Sequence, residues 1–335
     1  MRGVLLTGYG DIDRLKITEV PDPILKPHQV RVKVETSGLN FGDILIRQGF
    51  HAGSPRPPSI HGTEVCGQVL EMGSSFENKF DLKIGDRVMA YLPDYGGFAE
   101  QVVTGSEFLA SIPSRATVEQ GAAFPVSFMV ANLLVNEVSR LKTQEKILIK
   151  SIGSSVGLAL LQLSKHIGAE IYGTASESKH ERLEQMGVTE MFSHREDPKT
   201  HVGLFDVVFY SIAGASFSES YNSLAPFGRL VMYGGSTFLT GAKKNLFSAA
   251  MKWLAMPRFS PLGLMATNKT VSGLGILDID PSNLKMQRSF EEAVILWKNN
   301  VVTPNLDRVF PVEEIGQAQR YIEQRKSFGK VVLTW

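Results

Sequence analysis

Residues 146–175, KILIKSIGSSVGLALLQLSKHIGAEIYGTA, constrain the fold more than any other part of this sequence. ILI is a short apolar run of the kind a strand buried on both faces requires. It enters a turn of small residues, SIGSSVG, that opens directly into a helix, VGLALLQLSKHIG, with Gly168 near its end. AEIYGTA then supplies a second strand. Two parallel strands joined through a helix form a right-handed crossover, so this part of the chain is α/β with a parallel sheet. The unpaired N–H groups of the helix's first turn point toward the small-residue turn, where they can hold a pyrophosphate. Gly153 permits the tight turn and Gly157 allows the helix to pack closely on the strand. Gly153, Ser154, Ser155, Val156 and Gly157 are therefore candidate dinucleotide contacts. The full G-x-G-x-x-G pattern is missing, because Gly153 is followed by two serines. The turn alone also fits ordinary strand–helix geometry, and it is the second strand at the expected distance that favours a dinucleotide.

That second strand bears on which nicotinamide cofactor fits. A site for NAD usually places an acid at the strand end to bond both ribose hydroxyls. Here the end reads Thr174, Ala175, Ser176, Glu177, Ser178, Lys179. Ser176 can donate to a 2′-phosphate and Lys179 supplies positive charge, so NADPH is the expected cofactor. Glu177 argues the other way, and N-capping plus surface charge is the plainer reading of Ser176 and Lys179. Arg182 reads equally as a solvated surface residue. Further strands, FDVVFYS and GRLVMYGG, bring Tyr210, Tyr233 and Gly234 to loops at strand ends, where open α/β sheets bind ligands. Either tyrosine can instead pack in the core. His194 follows MFS in another such loop and can stack near an adenosine.

The first 120 or so residues read differently. QVRVKVETSGLN, TEVCGQVLEMG, DRVMAYL and GFAEQVV are short runs with Gly38, Gly67, Gly73 and Gly97 expected near their turns, as in a compact, mostly β unit. Val30, Val32 and Val34 alternate with Arg31, Lys33 and Glu35, so one face is buried. Val130, Leu133, Leu134 and Val138 recur at helical spacing and carry the chain into the next domain. Residues 238–270 contain a helical apolar pattern through Leu246, Ala249, Ala250, Trp253 and Leu254, read as a packed helix or, alternatively, a lid. Residues 284–299 form an amphipathic helix, and FGKVVLTW is a final strand with no following helix, able to rejoin the first sheet. Two domains follow, 1–125 with 279–335 and 126–278.

Composition excludes several function classes. With 35 Lys+Arg against 34 Asp+Glu, the formal charge of +1 offers no basic excess for nucleic acid. A hydrophobic share of 43% with 21% charged residues suits a packed core rather than disorder. Cys66 is the only cysteine, so no intrachain disulfide forms. No apolar stretch reads as long enough to cross a bilayer, and MRGVLLTGYGDIDRLKI turns polar too soon for a signal peptide, so the expected location is cytoplasmic. Lys243, Lys244 and Lys252 are weak grounds for peripheral membrane association.

Several segments resemble the medium-chain dehydrogenase/reductase superfamily, in its zinc-independent quinone oxidoreductase branch and particularly the VAT-1-like proteins. They are SGLNFGDILIRQG (37–49), PPSIHGTEVCGQV (57–69), GDRVMAY (85–91), GGFAEQVV (96–103), GTASESKHE (173–181), LTGAKKNL (239–246) and FGKVVL (328–333). The resemblance implies a GroES-like, mostly β domain that also receives the carboxyl terminus. It implies a Rossmann-type, doubly wound parallel-sheet domain binding NADPH, and a homodimer. It places Ser176 and Lys179 on the 2′-phosphate and Lys330 near the cofactor. Ser151 and Ser154 depart from the family's A-x-x-G-x-x-G turn, which a serine tolerates only outside the strained left-handed region. The zinc-dependent cousins carry a cysteine where this chain has Asn40 and a histidine where it has Thr63, so no metal is expected.

Without a metal, hydride addition favours a small-molecule electrophile that is conjugated, a quinone or an α,β-unsaturated carbonyl. Asn40 is the first candidate to orient its oxygen through an amide N–H, the alternative being a turn-stabilising asparagine. Asp43 is expected to anchor that loop or pair with Arg47. Many relatives have a tyrosine at Leu45, and Leu45, Ser127 and Phe128 are candidate pocket residues. The competing class is a VAT-1-like binding or membrane-associated scaffold with a retained reductase fold and little or no turnover.

Overall fold

The computed structural model describes residues 1–51, 53–211, 216–234 and 260–335. The chain divides into two compact units, Met1–Met129 with Leu277–Trp335 and the described residues between Val130 and Ile276.

In the first unit the alternation over residues 30–35 produces the strand Val30–Leu39, whose Val30, Val32 and Val34 are buried while Lys33 is exposed. This strand is central to a sheet ordered Leu306–Pro311, Lys330–Thr334, Val30–Leu39, Glu64–Met72, Arg87–Tyr91, Leu109–Ser111, with Gln101–Thr104 also pairing to it. The carboxyl-terminal strand rejoins this sheet as the sequence indicates, antiparallel to Val30–Leu39 with Val331 opposite Leu39. Gly38 and Gly67, expected near turns, instead lie inside strands. A Cβ on Gly67 would sit 1.8 Å from the Lys33 carbonyl oxygen, so close backbone approach, not a turn, requires glycine there. The helix Leu284–Lys298 starts at Asn283, whose side chain accepts from the Lys285 and Met286 amides. Its buried Trp297 stacks on Phe124 at 4.5 Å, and Phe124 stacks on Phe128 at the same spacing.

The second unit is built on a parallel sheet ordered Glu190–Phe192, Glu170–Thr174, Lys146–Lys150, Phe205–Tyr210, Leu224–Met232, Thr270–Gly273. In chain order that is third, second, first, fourth, fifth, sixth, the doubly wound order whose direction reverses beside the first strand. Leu148, Tyr172, Phe192, Phe205, Val208 and Leu230 fill one side of it. The helix Ser155–Ile167 ends at Gly168, whose φ of 87° is the left-handed cap that glycine adopts without strain. The helix Pro125–Asn132 widens over Leu133–Val138 into a π-helical turn, closed by Ser139 N–H donating to the Leu134 carbonyl at 2.8 Å. The run Val118–Val138 is apolar and long enough to span a bilayer, but most of it is buried in the fold. The helix expected through Leu246–Leu254, the lysines Lys243, Lys244 and Lys252, and the whole of segment 239–246 lie outside the described residues.

Candidate active site

Strand register assembles a charged cluster in the first unit. Val331 faces Leu39, which brings Lys330 beside Asn40, and Val65 faces Ser37, which brings Glu64 beside Gly38. Because side chains alternate along strands, Lys330, Asn40, Gly38 and Glu64 share one face. Gly38 leaves that face open: a Cβ there would lie 2.6 Å from Glu64 Oε1. Glu64 therefore reaches across it. Its Oε1 accepts from Asn40 Nδ2 at 2.7 Å and pairs with the Lys330 ammonium, while Oε2 accepts from the Val126 amide at 2.9 Å. Val126 is in the first turn of Pro125–Asn132, where a carboxylate also meets the positive end of the helix dipole. Lys330 Nζ donates in addition to Asn40 Oδ1 at 2.7 Å. Glu64 and Lys330 are 0% and 1% exposed, so this is a fully desolvated ion pair.

The arrangement corrects the role expected of Asn40. Its amide is not a free donor, because one N–H goes to Glu64 and the other to Thr63 Oγ1 at 3.2 Å. Lys330 is likewise committed to Glu64 and Asn40. Asp43 does anchor the loop, its Oδ2 accepting from the Asn40 backbone N–H at 2.7 Å. It does not pair with Arg47, which reaches Glu323, Asp11 and Gln319 instead. Asp43 Oδ1 is buried without a hydrogen-bond partner among the described residues. Burial pushes this carboxyl up to about 7 against the pull of the Asn40 amide and Lys330, with Glu64 adding to the rise.

His61 shares a hydrogen bond with Ser59 Oγ at 2.9 Å, and burial lowers its ring to about 4, which keeps it neutral. Zinc does not fit here. The two positions that would ligate it are an amide and a hydroxyl bonded to each other, with an ammonium 2.7 Å from the amide oxygen. Leu45 is half-buried on the helix Phe41–Arg47. Ser127 is buried, and its hydroxyl has no partner among the described residues. Phe128 is buried, stacked on Phe124.

In the second unit, Ser154 N–H donates to the Ser151 carbonyl at 3.0 Å, which closes the turn around Ile152 and Gly153. Ser154 is extended (φ −78°, ψ 164°) and caps the helix, its hydroxyl accepting from Gly157 N–H at 3.1 Å. The left-handed strain falls on Ser151 instead, at φ 57°. Gly157 is required for packing, since a Cβ would stand 2.5 Å from the Ile152 carbonyl oxygen. The Ser155 and Val156 amides make no hydrogen bond among the described residues and remain open to an anion. Ser176 is exposed just past Glu170–Thr174, and its side chain makes no capping hydrogen bond. Its carbonyl accepts from Lys179 N–H at 2.9 Å, so Ser176 and half-buried Lys179 sit on one short turn beside exposed Glu177.

The remaining candidates divide. His194 is exposed in the turn after Glu190–Phe192. The Tyr210 side chain is in the core, its hydroxyl on Ser216 Oγ at 3.1 Å and its carbonyl taken by Tyr233 N–H, so the core alternative holds for Tyr210. Burial pushes the Tyr233 phenol up, so it stays neutral. Gly234 is exposed, and any side chain there would strike the Ser211 carbonyl, at 2.5 Å from a Cβ. Sequence reasoning missed Glu64 as the organising residue and Lys150, buried at the end of its strand and paired with Glu219 at 2.8 Å. The available signal was similar in both cases, a charge directly flanking a short apolar run, Glu64 before Val65–Cys66 and Lys150 after Ile147–Leu148–Ile149.

Two outcomes follow from this geometry. Glu64→Gln strands the Lys330 ammonium in a dry site and is expected to cost about 3–5 kcal/mol of unfolding free energy. Adding Lys330→Met should recover part of that loss in denaturant melts, and strictly additive losses would reject the coupling. Asp43 binds its proton more tightly folded than unfolded, so its contribution to stability is present below about pH 4 and is lost as pH rises to about 7. Asp43→Asn should therefore melt higher relative to the parent at pH 8 than at pH 4, by up to about 4 kcal/mol. A pH-independent difference would reject that account.

Residues 26–114 match the family described as alcohol dehydrogenase GroES-like domain, and residues 186–333 that described as zinc-binding dehydrogenase. The chain is 32% identical to the zebrafish (Danio rerio) synaptic vesicle membrane protein VAT-1 homolog, over 99% of this chain and 70% of that relative. It is 30% identical to the bovine (Bos taurus) quinone oxidoreductase-like protein 2, over 96% of this chain and 89% of the relative. The crystal structure of the human VAT-1 homolog-like protein superposes with a TM-score of 0.85 at 28% identity, covering 100% of this chain and 98% of that one. The chain belongs to the medium-chain dehydrogenase/reductase superfamily of oxidoreductases, among its VAT-1-like and quinone oxidoreductase-like members.

Proposed function

We propose that the chain is an NADPH-dependent, zinc-independent oxidoreductase that reduces a quinone or an α,β-unsaturated carbonyl compound. The observation that carries this reading is the pair of open amides, Ser155 and Val156, at the turn after the first strand of a doubly wound sheet. A reduced nicotinamide, when bound, supplies a hydride. The chain's own residues hold the carrier: the two amides and the Ser155–Ile167 helix dipole meet the pyrophosphate. The Ser176 hydroxyl and the Lys179 ammonium meet the 2′-phosphate that distinguishes NADPH. Both Asn40 N–H groups are spent on Thr63 and Glu64, and Lys330 is paired with Glu64 and Asn40, so the cluster presents neither a free amide donor nor an unpaired cation to a simple ketone. A conjugated acceptor, which spreads the developing charge, asks for less stabilisation.

Two observations favour a second reading, a VAT-1-like scaffold that binds but turns over little. Ser154 consumes the Gly157 amide, and the Asn40 side chain has no spare donor. Fluorescence titration should show tighter binding of NADPH than of NADH. Lys179→Ala should weaken NADPH about tenfold and leave NADH nearly unchanged, as loss of one charge-assisted contact does; parallel losses would reject the assignment. A panel of 1,4-benzoquinone, 9,10-phenanthrenequinone and alkenals separates the two readings. NADPH oxidation by any of them supports the reductase, and binding without oxidation by all of them supports the scaffold.

A further inference from the structure

Tyr95 lies in the segment Leu92–Gly97, between the strands Arg87–Tyr91 and Gln101–Thr104. Backbone hydrogen bonds pin this segment to residues 61–63 at both ends. Leu92 N–H donates to Thr63 O at 2.7 Å, Gly97 N–H to Gly62 O at 3.0 Å and Phe98 N–H to His61 O at 2.8 Å. Thr63 is itself bonded to Asn40, and Glu64 follows it, so the segment is fixed directly beside the buried cluster. A turn closed by Tyr95 N–H on Leu92 O at 3.2 Å then presents Tyr95 with φ at 64°. A bulky residue in the left-handed region costs roughly 1–2 kcal/mol, and glycine would sit there without strain. The next residue, Gly96, is also at positive φ (93°), and there the chain uses glycine.

The strained side chain has a defined environment. Its ring packs edge-on against neutral His61, with centroids 5.6 Å apart. The ring is partly exposed, and its hydroxyl makes no hydrogen bond among the described residues. Burial, together with the nearby Asp43 and Asp278 carboxylates, raises the phenol above its ordinary value, so it keeps its proton. An unspent O–H, held by a strained turn beside Asn40 and Thr63, is the donor that the Asn40 amide cannot provide.

We propose that Tyr95 is a catalytic residue whose phenolic O–H donates a hydrogen bond to the oxygen of the conjugated acceptor, taking the place of the hydroxyl absent at Leu45. This rests on the reductase reading above. During reduction of an α,β-unsaturated carbonyl compound a hydride with its electron pair adds to the β-carbon, the carbon–carbon π pair shifts toward the carbonyl carbon and the carbonyl π pair moves onto the oxygen. In a quinone the electron pair likewise ends as negative charge on a quinone oxygen. NADPH becomes NADP+. Tyr95 retains its proton and stabilises that charge by hydrogen bonding, and water supplies the proton that completes the product.

Tyr95→Phe keeps the ring against His61 and removes only the donor. With an acceptor from the panel, kcat/KM should fall about tenfold to a hundredfold while the NADPH dissociation constant and melting temperature stay at parental values. Tyr95→Gly removes the same hydroxyl but relieves the backbone, so it should be equally slow and melt at or above the parent. If the parent reduces acceptors and Tyr95→Phe does so within twofold of it, this assignment is overturned and the reductase reading stands. If the parent reduces none of the panel, the reductase reading falls and takes the assignment with it.

Discussion

A carboxylate that has lost all its water must find hydrogen bonds and a cation, and the way Glu64 does so orders much of the first unit. Its donors come from the strand Val30–Leu39 through Asn40, from the carboxyl-terminal strand through Lys330, and from a helix amino terminus through Val126. Elements from opposite ends of the sequence thereby acquire one required register. A slip of one residue between Lys330–Thr334 and Val30–Leu39 would turn Lys330 to the other face and leave two buried charges unpaired. The same demand bears on Gly38, where a Cβ would meet both the Ala122 carbonyl oxygen at 2.5 Å and the Glu64 side chain at 2.6 Å. The ion pair need add little net stability to have this effect. It penalises the alternatives.

The second unit shows a different balance between binding and self-satisfaction. At the mouth of Ser155–Ile167 the Ser154 hydroxyl takes the third helical amide, while the Ser155 and Val156 amides are left without partners. Serine in place of the family's middle glycine therefore does not strain the backbone there. It exchanges conformational freedom for a built-in cap, and the left-handed angle is displaced to Ser151. The helix is more complete without ligand than a glycine turn would leave it. Two adjacent amides still suffice to receive one anionic group, because the dipole of a 13-residue helix acts with them.

Much of the architecture was legible because it follows from periodicity. Alternating valines defined Val30–Leu39, continuous apolar runs defined the parallel strands, and a strand without a following helix at the carboxyl terminus pointed back to the first sheet. The site was less legible, for a physical reason: hydrogen-bond commitment is a property of three-dimensional pairing. Asn40 read as a donor because an asparagine before a helix has two N–H groups, and nothing local says that Thr63 and Glu64 consume both. Asp43, four residues before Arg47 on one helix, read as a loop anchor or as a partner of Arg47, and the first holds, because Arg47 is drawn to Glu323 on a helix nearly three hundred residues later. Tyr210 read equally as a ligand contact or a core residue and Phe128 as a pocket candidate, and only long-range packing shows that both side chains are buried.

These commitments narrow the chemistry of the first unit. Glu64 and Lys330 cancel as a pair, both Asn40 N–H groups are spent, His61 is neutral, and Asp43 is largely protonated below about pH 7. What remains beside them is almost free of net charge. Such a surface is a poor place to generate an alkoxide from an isolated ketone, whose charge would rest on one oxygen. It is a tolerable place for an acceptor that disperses charge through conjugation and needs one well-placed O–H. A strained tyrosine is well suited to that task, because its position is set by the backbone before any ligand arrives and little ordering is left to be done on binding.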